Sequence, residues 1–292
     1  MGTGVGARPA IVAKDFNLRH TVESGQPLTF YSSYGAASGF ETLSYVTGTG
    51  SIALRYSKGS GRLQYVFSGR YGKSGAEKEV RSRLGLDHDI ADVYRSISTD
   101  EFINRAINEF YGMRITRNEP WEATLCFVIS QFNNIKRIRG IMLRMIERFG
   151  EEFDGKRLFP APEAIASADM AEIRACGTGF RDRYIKHAAE QFASGFEYSR
   201  LHGMGYEDAK ARLMELDGIG DKVADCILLF GYGRYDAFPI DVWIKRVVER
   251  AYFKGRRTSI ARIHEFSTER WGRYRGYAQQ YLFEFARRNK IG

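Results

Sequence analysis

One change of period, near residue 70, divides this chain into a part suited to a sheet and a part suited to helices. Before it, "PLTFYSSYG", "ETLSYVT", "SIALRYS" and "RLQYVFS" are short runs rich in β-branched and aromatic residues, separated by Gly/Ser turns. They predict an antiparallel sheet over about residues 16–70. After "GRYGKSGAEKEV" the pattern becomes helical. "TDEFINRAINEFYG", "WEATLCFVISQ", "NIKRIRGIMLRMIERFG" and "RDRYIKHAAEQFASG" place apolar residues three and four apart, with Gly near several ends. The expectation is an α+β protein, with an N-terminal antiparallel β-rich domain over residues 1–98 and a mostly α-helical domain over 99–292. No internal repeat or low-complexity tract interrupts either part.

Composition limits the partners. No stretch approaches the ~18 consecutive apolar residues of a membrane span, so no membrane partner is expected. "MGTGVGARPA" lacks the apolar run of a signal peptide, which predicts a cytoplasmic or nucleoid location, nuclear in a cell with a nucleus. A formal net charge of +9 suits a polyanion such as nucleic acid, although a merely basic soluble protein would carry the same charge. Cys126, Cys176 and Cys226 are scattered and odd in number, offering neither a disulfide framework nor CxxC metal spacing. A reducing compartment and no structural metal follow.

The densest chemistry lies in "LDGIGDKVADC". "YEDAKARLMEL" runs into it and "DKVADCILLFGYG" leaves it, predicting helix, tight hairpin and helix over 206–233. Gly218 and Gly220 leave backbone N–H groups open at the start of the second helix, where a phosphate oxygen is bound well. A plain αα-hairpin accounts for the glycines equally. Lys222 then stands in the first turn, where a cation opposes the helix dipole at a cost of a few tenths to ~1 kcal/mol, and any desolvation further favours a neutral, nucleophilic amine. A solvated lysine, or one paired with Asp225 at i+3, is the other reading. Pro239 ends the next segment and Asp241 is placed to cap a helix over 242–252; the 234–243 loop would aim its carboxylate toward the lysine. Capping alone would also explain Asp241.

"LDGIGDKVADCILLFGYGRYDAFPIDVW" resembles the helix-hairpin-helix, Gly/Pro-rich loop and aspartate signature of the HhH-GPD superfamily of base-excision DNA glycosylases. Within it, "KVADCILLF" followed by "PIDV" most resembles the 8-oxoguanine DNA glycosylases. "SGQPLTFY", "LDHDIADVY", "FVISQFNNIKRIRGIM", "TGFRDRYI" and "GYAQQYLF" have counterparts there in the same order. The resemblance implies a helix-hairpin-helix DNA glycosylase core and an enzyme that flips 8-oxoguanine from double-stranded DNA, cuts its N-glycosidic bond and nicks the strand as an AP lyase. Lys222 would attack C1′ of the sugar and form a Schiff base, while Asp241 would stabilise the cationic sugar and assist proton transfer. The Gly25 carbonyl would accept from the N7–H that distinguishes the lesion from guanine. Gln279 would bond its Watson–Crick edge, and Phe283 and Cys226 would lie against its faces. Phe180 would fill the vacated stack, Arg137 and Arg181 would contact the orphaned cytosine, and Gly218, Gly220, Asn133, Asn134 and Trp243 would complete the DNA contacts.

Two positions depart from the family. Phe132 stands where better-known members begin an "NNN" run that helps read the cytosine, so strict preference for cytosine is not expected. Trp243 replaces a histidine near the lesion's phosphate. Iron–sulfur relatives need four clustered cysteines near the C-terminus, and none follows Cys226, which excludes a cluster. No cofactor is expected beyond a monovalent cation at the hairpin, and the chain is expected to act as a monomer. Excision of alkylated purines on the same fold, or a non-enzymatic DNA-binding module, are the competing readings.

Overall fold

A computed structural model of the chain describes residues 8–195 and 199–291. The first seven residues of "MGTGVGARPA" therefore lie outside the described residues. The sheet is antiparallel, in the order β1-β5-β4-β3-β2, with β1 Ala10–Val12, β2 Ser33–Ala37, β3 Phe40–Val46, β4 Gly50–Ser57 and β5 Arg62–Gly69. Alternation decides its inner face: in β3, Leu43 and Tyr45 are buried while Thr42 and Ser44 face solvent. Leu43 pairs with Leu54, and Leu54 with Tyr65, so one buried row crosses three strands.

Two short elements differ from the pattern expected for residues 16–70. Pro27–Phe30 is a single 3-10 turn rather than the start of a strand; Pro27 lacks the N–H a ladder needs. Leu18–Glu23 forms helix α1, fixed by Asn17, whose Oδ1 accepts from the His20 N–H at 3.0 Å. β1 precedes the expected start of the sheet. Six- and three-residue segments are too short to display a period.

The helices that follow are α2 Lys73–Arg83, α3 Ile90–Ile97, α4 Glu101–Glu109, α5 Pro120–Ser130, α6 Ile135–Phe149, α7 Pro162–Ala166, α8 Met170–Ile173 and α9 Asp182–Ala193. After them come α10 Tyr206–Met214, α11 Asp221–Gly231, α12 Val242–Tyr252, α13 Ile260–Trp271 and α14 Arg275–Asn289. None among the described residues is long and apolar enough to cross a membrane. α5 is buried around almost its whole circumference and packs on α11, which makes these two the centre of the helical part.

The sheet and the helices are joined by buried polar contacts. Arg83, only 1% exposed, donates to Glu122 and, at 2.8 and 2.9 Å, to Tyr31 Oη and Asn118 Oδ1. Burial pushes the Glu122 carboxyl up, against the pull of Arg83. Removing Arg83 would leave the buried Glu122 carboxylate uncompensated, a loss of ~3–5 kcal/mol. On the other side, Gln280 donates to Ser24 O at 3.2 Å and Arg287 to Glu23 O at 2.7 Å, tying the "SGQ" turn to α14.

Candidate active site

The hairpin between α10 and α11 is as tight as its glycines allow. Gly218 has φ +79, and a Cβ there would sit 2.5 Å from Cγ of Tyr184, so both backbone and packing require glycine. Gly220 differs from expectation: its backbone is extended (φ −96, ψ −178) and a Cβ would meet nothing within 4 Å. It is the N-cap of α11, and the space before it is open.

Lys222 follows at the second position of α11. Its Nζ lies 5.7 Å from the centre of the Phe127 ring, and Cys226 stands one turn later on the same side. Burial pushes the Cys226 thiol up to about 11, although Lys222 beside it pulls the other way. The ion pair Lys222–Asp225 does not form. Asp225 is fully buried and faces α10, where Lys210 Nζ lies 3.1 Å from Oδ2 and Tyr206 donates its hydroxyl proton to Oδ1. Lys210 also reaches Asp221 at 2.7 Å. Asp221, Asp225 and His264 could together approach a metal ion, but the Lys210 ammonium already pairs with both carboxylates.

Asp241 is the N-cap of α12, with Oδ1 accepting from the Ile244 N–H at 2.7 Å. That leaves Oδ2 for other work. The loop before it is anchored by Phe238, fully buried and stacked on Trp271 with ring centres 5.8 Å apart. Gly25 has φ +74, and its turn is locked by Gln26, which donates to Arg114 O at 2.8 Å and accepts from Thr116 N–H at 2.7 Å.

These elements enclose one cavity of about 550 Å³. Gly25, Lys222, Cys226, Asp241, Gln279 and Phe283 all line it, and Asn133, Asn134 and Trp243 contribute from the α5–α6 loop and the start of α12. Gln279 is 6% exposed, and its Oε1 is buried without a hydrogen-bond partner among the described residues. With no protein donor on it, that oxygen is open to one from whatever fills the cavity. Phe127, Phe230 and Lys136 also line the cavity. The two phenylalanines read as ordinary helix core in sequence; Lys136 repeats the signal of Lys222, a cation in the first turn of a helix.

The residues expected on the DNA divide. Phe180 is half-exposed and Arg137 exposed, as DNA contact requires. Arg181 is not available to a base: it is 2% exposed, and its guanidinium donates to the carbonyls of Gln131, Phe132 and Thr178. A guanidinium has five N–H donors in a fixed fork, and this fork is turned inward.

The 8-oxoguanine DNA glycosylase N-terminal domain matches residues 10–124, and the HhH-GPD superfamily base excision DNA repair protein matches residues 125–273. The chain belongs to the HhH-GPD superfamily. A structure described as MBOgg1 in complex with a low affinity DNA ligand superposes with a TM-score of 0.87 at 31% identity, covering 98% of each chain. The probable N-glycosylase/DNA lyase of Methanothermobacter thermautotrophicus is 29% identical over 74% of this chain and 77% of its own length. A DNA-3-methyladenine glycosylase of Bacillus subtilis is 30% identical over 70% of each. Within this HhH-GPD protein, the first matched region supplies Gly25 and the second supplies Lys222 and Asp241.

Proposed function

We propose that the cavity is the lesion pocket of a bifunctional 8-oxoguanine DNA glycosylase and AP lyase. The observation that carries this is the convergence of Lys222, Asp241, Gly25, Gln279, Phe283 and Cys226 on one cavity from four separate parts of the fold. The flipped base rests between Phe283 and Cys226. The Gly25 carbonyl accepts its N7–H, and the unpartnered Gln279 Oε1 receives a donor from its Watson–Crick edge.

Lys222 acts as the nucleophile. Once deprotonated, its amine gives a lone pair to C1′ as the C1′–N9 bond breaks, and the electron pair leaves on N9, which takes up a proton. The attached nitrogen loses a proton, the C1′–O4′ bond opens with protonation of O4′, and an iminium remains. Loss of a proton from C2′ breaks the C3′–O3′ bond and releases the 3′ phosphate, after which water hydrolyses the iminium and restores the amine. Asp241 Oδ2 stabilises the cationic sugar and relays these protons.

The match to the 8-oxoguanine glycosylase N-terminal domain favours this substrate over alkylated purines. Phe180 enters the vacated stack, and the hairpin at Gly218 and Gly220 grips phosphate, with the expected monovalent cation in a supporting role that no step requires. A monomer suffices, because one chain supplies every lining residue. The test is borohydride trapping on a duplex containing 8-oxoguanine. A covalent adduct is expected that Lys222→Gln abolishes; an undiminished adduct would refute the lysine assignment.

A further inference from the structure

The α5–α6 loop thrusts a phenylalanine into solvent. Phe132 is 92% exposed, and its backbone lies in the left-handed region, with φ +46. A bulky side chain adopts that conformation only where its surroundings impose it. Arg181 imposes it here. From its buried position it donates to Gln131 O at 2.8 Å, to Phe132 O at 3.1 Å and to Thr178 O at 3.1 Å. Asn133 Nδ2 donates to Ile129 O at 3.1 Å and Asn134 caps α6, so both ends of the loop are fixed.

A second exposed ring stands beside the first. Phe180 is 51% exposed, with its ring centre 6.4 Å from that of Phe132. The Arg181 guanidinium lies over the Phe180 ring at 4.4 Å, and Tyr184 meets its other side edge-on, at 6.5 Å. Tyr184 in turn packs on Gly218. Exposed Lys136 and Arg137 follow Phe132 by four and five residues, exposed Arg183 follows Phe180 by three, and Asn133 and Asn134, the next residues in the loop, line the cavity. The occupant that fits two flat apolar rings flanked by cations along the chain is apolar on its faces and anionic at its edges, which describes stacked bases in a nucleic acid.

We propose that Phe132 is a second wedge. Phe180 fills the space the lesion leaves, and Phe132 stacks on the base left behind in the other strand. That base is then held by its face rather than by its hydrogen-bonding edge, so excision is indifferent to which base it is. Arg181 builds the loop that presents the ring. This rests on the reading of the chain as a base-flipping glycosylase.

Single-turnover excision of 8-oxoguanine opposite each of the four bases tests it, with the full chain and with Phe132→Ala. Because Phe132 is 92% exposed, its truncation spares the core, and the Arg181 bonds to the loop carbonyls that hold the backbone in place are kept. Wild-type rates are expected to agree within about threefold across the four duplexes, since every base offers a similar π-face. Phe132→Ala is expected to lower all four together by about fivefold or more, the loss of one base–aromatic stack. A cytosine-only profile in the wild type, or Phe132→Ala rates equal to wild type on every duplex, would overturn the proposal. If no duplex is cut at all, the glycosylase reading fails, and 2-aminopurine placed opposite the lesion then decides. A fluorescence change on binding that Phe132→Ala abolishes supports the wedge; an unaltered change overturns it.

Discussion

Lys210 takes both carboxylates of α11 and leaves Lys222 with neither. The ammonium of Lys210 lies 2.7 Å from Asp221 and 3.1 Å from Asp225 on one face of the helix, while Lys222 stands on the other face, toward the cavity, and forms no ion pair among the described residues. Asp225 at i+3 is the natural partner of Lys222 by spacing, and Tyr206 and Lys210 hold it away.

That cluster has a pH signature. Burial pushes the Asp225 carboxyl from 3.8 up to about 6, against the pull of Lys210 and the Tyr206 hydroxyl. An acid whose value is raised by folding binds its proton more tightly in the folded chain. Its contribution to stability is complete below about pH 4 and is lost as pH rises through about 6. Asparagine imitates the protonated form. Asp225→Asn should therefore gain on the wild type, by on the order of 2 kcal/mol, between pH 4.5 and 7.5 in parallel thermal melts. A difference in Tm that stays constant with pH would contradict this.

Asp241→Asn separates capping from chemistry. Asparagine caps a helix about as well as aspartate, so the bond from Ile244 N–H is kept and Tm should move little. Without a carboxylate to stabilise the cationic sugar, single-turnover excision should fall by roughly 10²–10³-fold. Equal losses of stability and rate would mean that Asp241 acts only as a cap.

At the hairpin, the two glycines should behave differently. Gly218→Ala meets both the positive φ and the Tyr184 ring, and is expected to cost roughly 2 kcal/mol or more. Gly220→Ala meets neither and should leave Tm nearly unchanged while weakening binding to duplex DNA, because its methyl enters the open space before α11. Denaturation and fluorescence-anisotropy titration measure the two effects. A Gly220→Ala variant with full DNA affinity would remove Gly220 from the phosphate grip.

Gly25 offers a way to block recognition without touching the nucleophile. A Cβ there would lie 3.1 Å from Ile135 Cδ1 and 3.8 Å from Phe283, on a backbone with φ +74. Gly25→Ala is expected to lose excision of 8-oxoguanine by about tenfold or more while still forming the Schiff base on a preformed abasic site, which brings no base to the pocket. Loss of both activities together would indicate a general disturbance of the fold.

Sequence reached furthest where one residue decides the local backbone. Pro239 and Asp241 mark the start of α12, found over Val242–Tyr252, and Gly218 marks the hairpin. The pocket lysine, aspartate and glutamine were legible through the family resemblance, which short segments carry, while the residues by themselves left each open to a bland reading. What escaped was set by distant partners. Gln26 is buried by bonds to segments about ninety residues away, and Arg181 is withdrawn from solvent by carbonyls on another loop, about fifty residues off. Local patterns carry no record of such pairings. Lys222 was legible as a residue but not as a free amine, since the commitment of Asp225 to α10 appears only in three dimensions.

The ties between Ser24 and Gln280, and between Glu23 and Arg287, join positions 256 and 264 residues apart. The lesion pocket is consequently incomplete until α14 has been made. Lys222 and Asp241 are both in place well before α14 arrives to close the wall opposite Gly25. Synthesis thus separates the two halves of recognition in time: the carbonyl that tells a damaged base from a sound one is made early, and the side chains that hold the base against it come only with α14.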